Sequence, residues 1–141
     1  VCQEQVAQID PKQCLVVICG DLNSGREESV WQLLTRGRIE GGTTDVRLPG
    51  VEVTRTTVSH MYRLRDVYNA CGFDLPYTRK VPTLGAVIDY VFASRDFDVV
   101  ALHYPLAVRL TDEAGLRRLS LPNGTHPSDH LPVGCVLRLR Q

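Results

Sequence analysis

The sequence predicts an α/β layered fold in which strands outnumber helices. Three observations carry that expectation. An apolar, β-branched run fills 14–20, and a second fills Val87-Ile88-Asp89-Tyr90-Val91-Phe92. Near the C-terminus, Val133, Cys135, Leu137 and Leu139 alternate with Gly134, Val136, Arg138 and Arg140, the period of a strand with one wet face. Between the first two runs, Val30, Leu33 and Leu34 recur at helical spacing.

Taken in order, 14–20 is expected to be a buried strand, ending in the turn formers Gly20-Asp21-Leu22-Asn23-Ser24-Gly25. Glu27-Glu28-Ser29 is expected to open a helix, with acidic side chains at its positive end and Trp31 packing inward; Gly37 is its expected stop. Residues 40–56 carry Gly, Thr and Pro and read as a loop, with a short strand at Val51-Glu52-Val53. Residues 61–68 read as a strand or short turn anchored by Leu64 and Val67, and 73–83 as a loop. Residues 87–92 and 97–104 are expected strands, Thr111–Leu119 a short helix capped by Thr111, 122–132 a loop and 133–139 the closing strand.

Composition limits the function. The chain has 141 residues, 43% hydrophobic and 23% charged, as in a soluble globular domain. Its 16 basic and 16 acidic residues cancel, which excludes a nucleic-acid binder relying on a large basic surface; an enzyme gripping one or two phosphates stays open. Fourteen of the basic residues are Arg, which reads either as a preference for guanidinium forks or as codon usage in a GC-rich genome. The longest apolar run, Cys14 to Cys19, is far below the ~18 residues of a membrane span. Five cysteines without C-x-x-C spacing give no zinc or redox motif and suggest a reduced, intracellular setting. The N-terminus has neither a Met nor signal-peptide character, so the chain is expected to begin inside a longer protein. The Asn123-Gly124-Thr125 sequon is expected to serve only as a turn.

The polar clusters stand at the ends of apolar strands. Asp21 and Asn23 follow the first strand, Asp89 interrupts the second, and Asp129-His130 precede the last. A carboxylate inside a strand needs a partner, and an imidazole is a natural one for Asp89. Three carboxylates, an amide and an imidazole together suit metal-assisted phosphate chemistry. Each cluster alone is an ordinary turn or loop pair; their joint occurrence, in this order, is the signal.

Cys19-Gly20-Asp21-Leu22-Asn23-Ser24, Val87 to Phe92 and Pro127-Ser128-Asp129-His130-Leu131-Pro132 resemble the last three motifs of the endonuclease/exonuclease/phosphatase superfamily. Ser29 to Leu34 and Leu121-Pro122-Asn123 further resemble its Ccr4-type deadenylases and their relatives, the nocturnin, angel and 2′,5′-phosphodiesterase proteins. The resemblance implies that residues 1–141 are the C-terminal half of a two-sheet α/β sandwich whose other half supplies an Asn and the main metal-binding Glu. Alone, such a half would leave one sheet face uncovered. It also implies a Ccr4-like 3′-5′ exoribonuclease, a poly(A) deadenylase among its forms, dependent on Mg²⁺ or Mn²⁺. The fragment by itself would be inactive.

The implied roles are specific. Asp21 would bind the metal or its water and act as acid or base. Asn23 would hold the scissile phosphate, His130 would contact it and stabilise transition-state charge, and Asp89 would orient His130. Asp129 would be a further metal-side carboxylate. Arg79 and Leu84 stand where an amide and an aromatic on the substrate side are expected, which weakens adenine recognition. The implied partners are RNA and a protein complex reached through the upstream region, with no membrane; the implied location is cytoplasmic, mitochondrial and nuclear sites left open. The alternatives are a catalytically incomplete scaffold, or a superfamily enzyme acting on another phosphoester such as an inositol phosphate, sphingomyelin or abasic DNA.

Overall fold

The computed structural model describes residues 14–105, 115 and 120–141. Its elements are β1 Val17–Asp21, α1 Ser29–Arg36, β2 Arg38–Ile39, β3 Thr44–Asp45, β4 Leu48–Glu52, β5 Val58–Ser59, β6 Leu64–Asp66, α2 Val67–Ala70, β7 Arg79–Val81, β8 Leu84–Ala86, β9 Asp89–Ser94, β10 Phe97–Leu102 and β11 Cys135–Leu139. The expected helix over 111–119 lies outside the described residues, apart from Gly115.

The centre is an antiparallel sheet in the order β1-β9-β6. Directly paired residues share a face, so the register assigns both sides of the sheet. Ile18 lies opposite Phe92 and Gly20 opposite Tyr90, on the face that α1 covers. There Leu64, Tyr90 and Phe92 are buried against Trp31, Leu34, Ile18 and Tyr62. On the other face Val91 and Ala93 pack with Val67, Tyr68 and Leu75, and the β10–β11 ribbon closes over them through Phe97, Val99, Leu102, Cys135 and Leu137. β9 is therefore buried on both faces, which is why its run is continuously apolar.

β1 departs from the expectation of a buried strand. Leu15 and Val17 are 47% and 46% exposed. β1 is an edge strand, and Val17 and Cys19, on the face it shares with Val91 and Ala93, are left exposed. The segment 40–56 is more ordered than expected: β3 pairs with β4, which overlaps the strand expected at 51–53, and β2 and β5 pair with each other on either side of the segment. β7 and β8 likewise form a hairpin at the end of the expected 73–83 loop.

The opening of α1 also differs. Glu28 makes no side-chain cap, and the first turn holds no acidic residue. Instead Asp45, from the β3–β4 ribbon, accepts hydrogen bonds from the Ser29 N–H (2.7 Å) and Oγ (2.9 Å). The anion at the positive end of the helix is thus delivered by tertiary structure. The stop is as expected: Gly37 adopts φ 79° and donates its N–H to Leu33 O at 2.8 Å.

Candidate active site

β1 delivers Asp21 and β9 delivers Asp89 to adjacent positions. The two residues are register partners at the ends of their strands, so their side chains leave the same face of the sheet. Asp89 therefore opens β9 rather than interrupting it. Beyond Asp21 the chain turns sharply. The Asn23 N–H donates to Asp21 Oδ1 at 2.8 Å, and Asn23 has φ 49°, a left-handed conformation that Asn tolerates. Leu22 N–H donates to Ile88 O (2.8 Å), and the guanidinium of Arg47 reaches Asn23 O (3.2 Å), tying the turn to its surroundings. The Tyr90 hydroxyl lies 2.9 Å from Ser24 O and 2.7 Å from Val87 O, bracing the turn against β9. Burial pushes its phenol pKa strongly upward, so it stays a donor.

His130 arrives on the loop before β11. Lys80 N–H donates to Asp129 O (2.9 Å) and Leu131 N–H to Thr78 O (2.7 Å), which lays 129–131 along β7. Leu131 is buried with Tyr77 and Leu121 and pins the loop from below. The imidazole then meets Asp89: Nδ1 lies 3.1 Å from Oδ1 and 2.9 Å from Oδ2. With both carboxylate oxygens facing it, Nδ1 is placed to donate to Asp89, and Nε2 lies 3.9 Å from Asp21 Oδ2. Asp89 is in turn held by Thr78, whose Oγ1 donates to Oδ2 at 2.7 Å.

Asp21, Asp89 and His130 thus bring a potential ligand atom each within 4.8 Å of one another. The donor set suits a hard divalent cation only in part. Both oxygens of Asp89 are occupied by His130 and Thr78, and Asp21 Oδ1 accepts from Asn23, so Asp21 Oδ2 is the exposed carboxylate oxygen. One or two carboxylates completed by water and phosphate oxygens is a usual magnesium shell, and Asp21 fits that role.

The remaining candidates lie apart from this trio. The Asp129 carboxylate accepts from Arg79 Nε at 2.9 Å and does not join the cluster. Leu84, 56% exposed, lines a cleft of about 630 Å³ together with Gly25, Arg26, Arg47 and Val87. Arg79 and Leu84 occupy opposite ends of the β7–β8 hairpin. Thr78 and Arg47 escaped the sequence reading. A threonine beside the buried Tyr77, just before a strand, was the available signal for the first. Arg47 has none, because the ribbon that carries it looks like loop.

No protein-family model matches the chain. Curated relatives do. It is 31% identical over 126 residues to the CCR4-Not complex 3′-5′-exoribonuclease subunit Ccr4 of Kluyveromyces lactis, covering 88% of this chain and 15% of the relative. The proteins of the same name in Neurospora crassa (31%; 89% of this chain, 16% of the relative) and Candida glabrata (32%; 93% and 14%) match similarly. The chain therefore spans about one seventh of the length of these relatives. Among solved structures, that of ANGEL2, a 2′,3′-cyclic phosphatase in complex with adenosine-2′,3′-vanadate, superposes with a TM-score of 0.67 at 23% identity, over 96% of this chain and 48% of ANGEL2. The resemblance carried by the three motifs holds: the chain is a relative of the Ccr4-type members of the endonuclease/exonuclease/phosphatase superfamily, matching a segment of them and sharing about half of the ANGEL2 fold.

Proposed function

We propose that this chain is the C-terminal half of a divalent-metal-dependent phosphodiester hydrolase acting on RNA as a Ccr4-like 3′-5′ exoribonuclease. The observation that carries the reading is the Asp89–His130 pair presented beside Asp21. An imidazole fixed through Nδ1 directs Nε2 at the place where a phosphate oxygen would sit. There, once protonated, it donates its Nε2–H to the charge that grows on the phosphate oxygens, while Asp89 holds the Nδ1–H. Asp21 would hold Mg²⁺ or Mn²⁺, which would supply Lewis acidity toward the phosphate when bound. Asn23, held in its left-handed turn, donates its side-chain amide to the scissile phosphate. Asp129 keeps Arg79 in place at the margin of the site, and Arg79 and Leu84 face the substrate. The upstream half supplies the rest of the metal shell. RNA is the substrate, a multisubunit assembly like that named for the Ccr4 relatives is a reasonable partner, and the cytoplasm is the proposed location. Among the described residues no helix is long and apolar enough to cross a membrane.

The test uses the whole protein on a 3′-labelled RNA. Cleavage should require Mg²⁺ or Mn²⁺ and stop with EDTA. Asp21→Ala and His130→Ala should each lower the rate at least ~100-fold. Full activity in either variant contradicts these roles. The ANGEL2 likeness favours one second reading, removal of a 2′,3′-cyclic phosphate, in which RNA bearing that end loses its phosphate to water without being shortened.

A further inference from the structure

We infer that Thr78 is a positioning residue for the Asp89–His130 pair, selecting the imidazole tautomer through the carboxylate. The inference deepens the hydrolase reading and rests on it for its catalytic consequence alone.

The Thr78 side chain is fully buried and belongs to the strand edge, not to the reacting surface. Its hydroxyl makes three contacts, all with the adjacent residues Ile88 and Asp89. It accepts from the N–H groups of Ile88 and Asp89, both at 3.0 Å, and donates to Asp89 Oδ2 at 2.7 Å. A hydroxyl has one proton and two lone pairs. With both lone pairs taken by amides, its proton is directed at the carboxylate. The backbone of the same residue accepts from Leu131 N–H, beside His130, and its own N–H donates to Ala86 O at 2.9 Å. One residue thus fixes the start of β9, the carboxylate and the loop that carries the imidazole.

The consequence is geometric. Asp89 is held so that both oxygens face His130 Nδ1, at 2.9 and 3.1 Å. That arrangement favours the Nδ1–H tautomer, with Nε2 unprotonated toward Asp21. Without the hydroxyl the carboxylate can turn about its Cβ–Cγ bond, and the Nε2–H form gains ground. A hydroxyl that merely closed the turn would affect stability and leave the tautomer alone.

The test compares Thr78→Val, which keeps the shape without the hydroxyl, with Thr78→Ser, which keeps the hydroxyl. The whole protein is labelled with 15N-histidine, and the His130 tautomer is read from its two ring-nitrogen shifts at one pH where the ring is neutral. The wild type should show the Nδ1–H form. Thr78→Val should raise the Nε2–H fraction about tenfold, and Thr78→Ser should restore the wild-type ratio. In the RNA assay Thr78→Val should lower kcat about tenfold or more with KM within about twofold. A folded Thr78→Val with wild-type tautomers overturns the inference, as does a folded Thr78→Ser that loses them. Should Thr78→Val not fold, Thr78→Ala takes its place with the same reading: a raised Nε2–H fraction supports the inference, and wild-type tautomers overturn it. Because the tautomer is read without substrate, a protein that cleaves no RNA would sink the hydrolase reading while leaving the positioning role to be judged by itself.

Discussion

At the scale of single residues, side chains that look equivalent in the sequence have separate duties. Asp21, Asp89 and Asp129 all flank strand ends, yet each carboxylate has a different partner: a backbone amide, a histidine and an arginine. Asp129 shows how an ion pair can remove a carboxylate from a cluster. At 35% side-chain exposure for both groups, its pairing with Arg79 carries little stability, and it serves to hold the guanidinium in place. This bears on substrate choice. Arg79 Nε is engaged, which leaves the outer fork nitrogens for a phosphate or a guanine edge, and neither suits adenine. Leu84 offers bulk at the cleft wall without a face on which a base can stack. On the proposed activity, the whole protein should therefore discriminate weakly between poly(A) and other homopolymer tails in competition at fixed salt. Leu84→Phe should raise the poly(A) preference, since a stacked base contributes ~1–3 kcal/mol. A wild-type preference above ~100-fold, about 2.7 kcal/mol, would show that neither residue weakens adenine reading.

At the scale of elements, the parts that announce themselves in the sequence are those whose burial is decided locally. β9 is packed on both faces and reads as an unbroken apolar run. α1 has one stripe, and its stop is a glycine at φ 79°. The stop gives a graded prediction. An alanine at Gly37 is strained by the left-handed backbone, and its Cβ would stand 3.0 Å from His60 O. Gly42 has φ 80° and nothing within 4 Å, so alanine there meets the backbone strain alone. Urea unfolding should show Gly42→Ala costing about 1 kcal/mol and Gly37→Ala clearly more, about 2 kcal/mol. Equal costs would mean that the His60 contact relaxes freely. Of the short ribbons β2–β5 and β3–β4, only the end of β4 at Val51-Glu52 was legible, for a physical reason. Their pairing is held by long-range contacts such as Asp45 on the α1 N-terminus, and their exposed Val46, Leu48 and Val51 show no alternation against a core. The site was legible to the extent that its chemistry sits in contiguous motifs. The trio Asp21, Asp89 and His130 emerged from three strand ends; Thr78 and Arg47 did not, because their roles exist only after β7 and the β3–β4 ribbon have docked.

At the scale of the whole molecule, the two sides of the central sheet are unequally finished. β9 is enclosed, but β1 presents Leu15 and Val17 about half exposed, and Cys19 is exposed on the same face. Of its two edges, only the one toward β9 is paired among the described residues. No Lys, Arg or Pro interrupts Leu15 to Gly20, so the edge lacks the charges and kinks that usually block strand-to-strand association. Across the molecule, Val100, Val136 and Leu139 of the β10–β11 ribbon are also 50–56% exposed. Such a surface should make the isolated 141-residue chain associate with itself. Sedimentation velocity over a hundredfold range of concentration should show a rise in mean mass, together with dye binding typical of exposed apolar surface. Val17→Lys places a charge on the open edge at an already half-exposed position, so its effect on folding should stay within about 1 kcal/mol. It should nevertheless shift the association to higher concentration at least ~10-fold, because pairing through that edge would bury the ammonium. If Val17→Lys leaves the association unchanged, the contact does not run through β1, and the exposed face of the β10–β11 ribbon becomes the surface to alter. If the wild-type chain stays monomeric throughout, the open edge is tolerated by the twist and shortness of β1 alone.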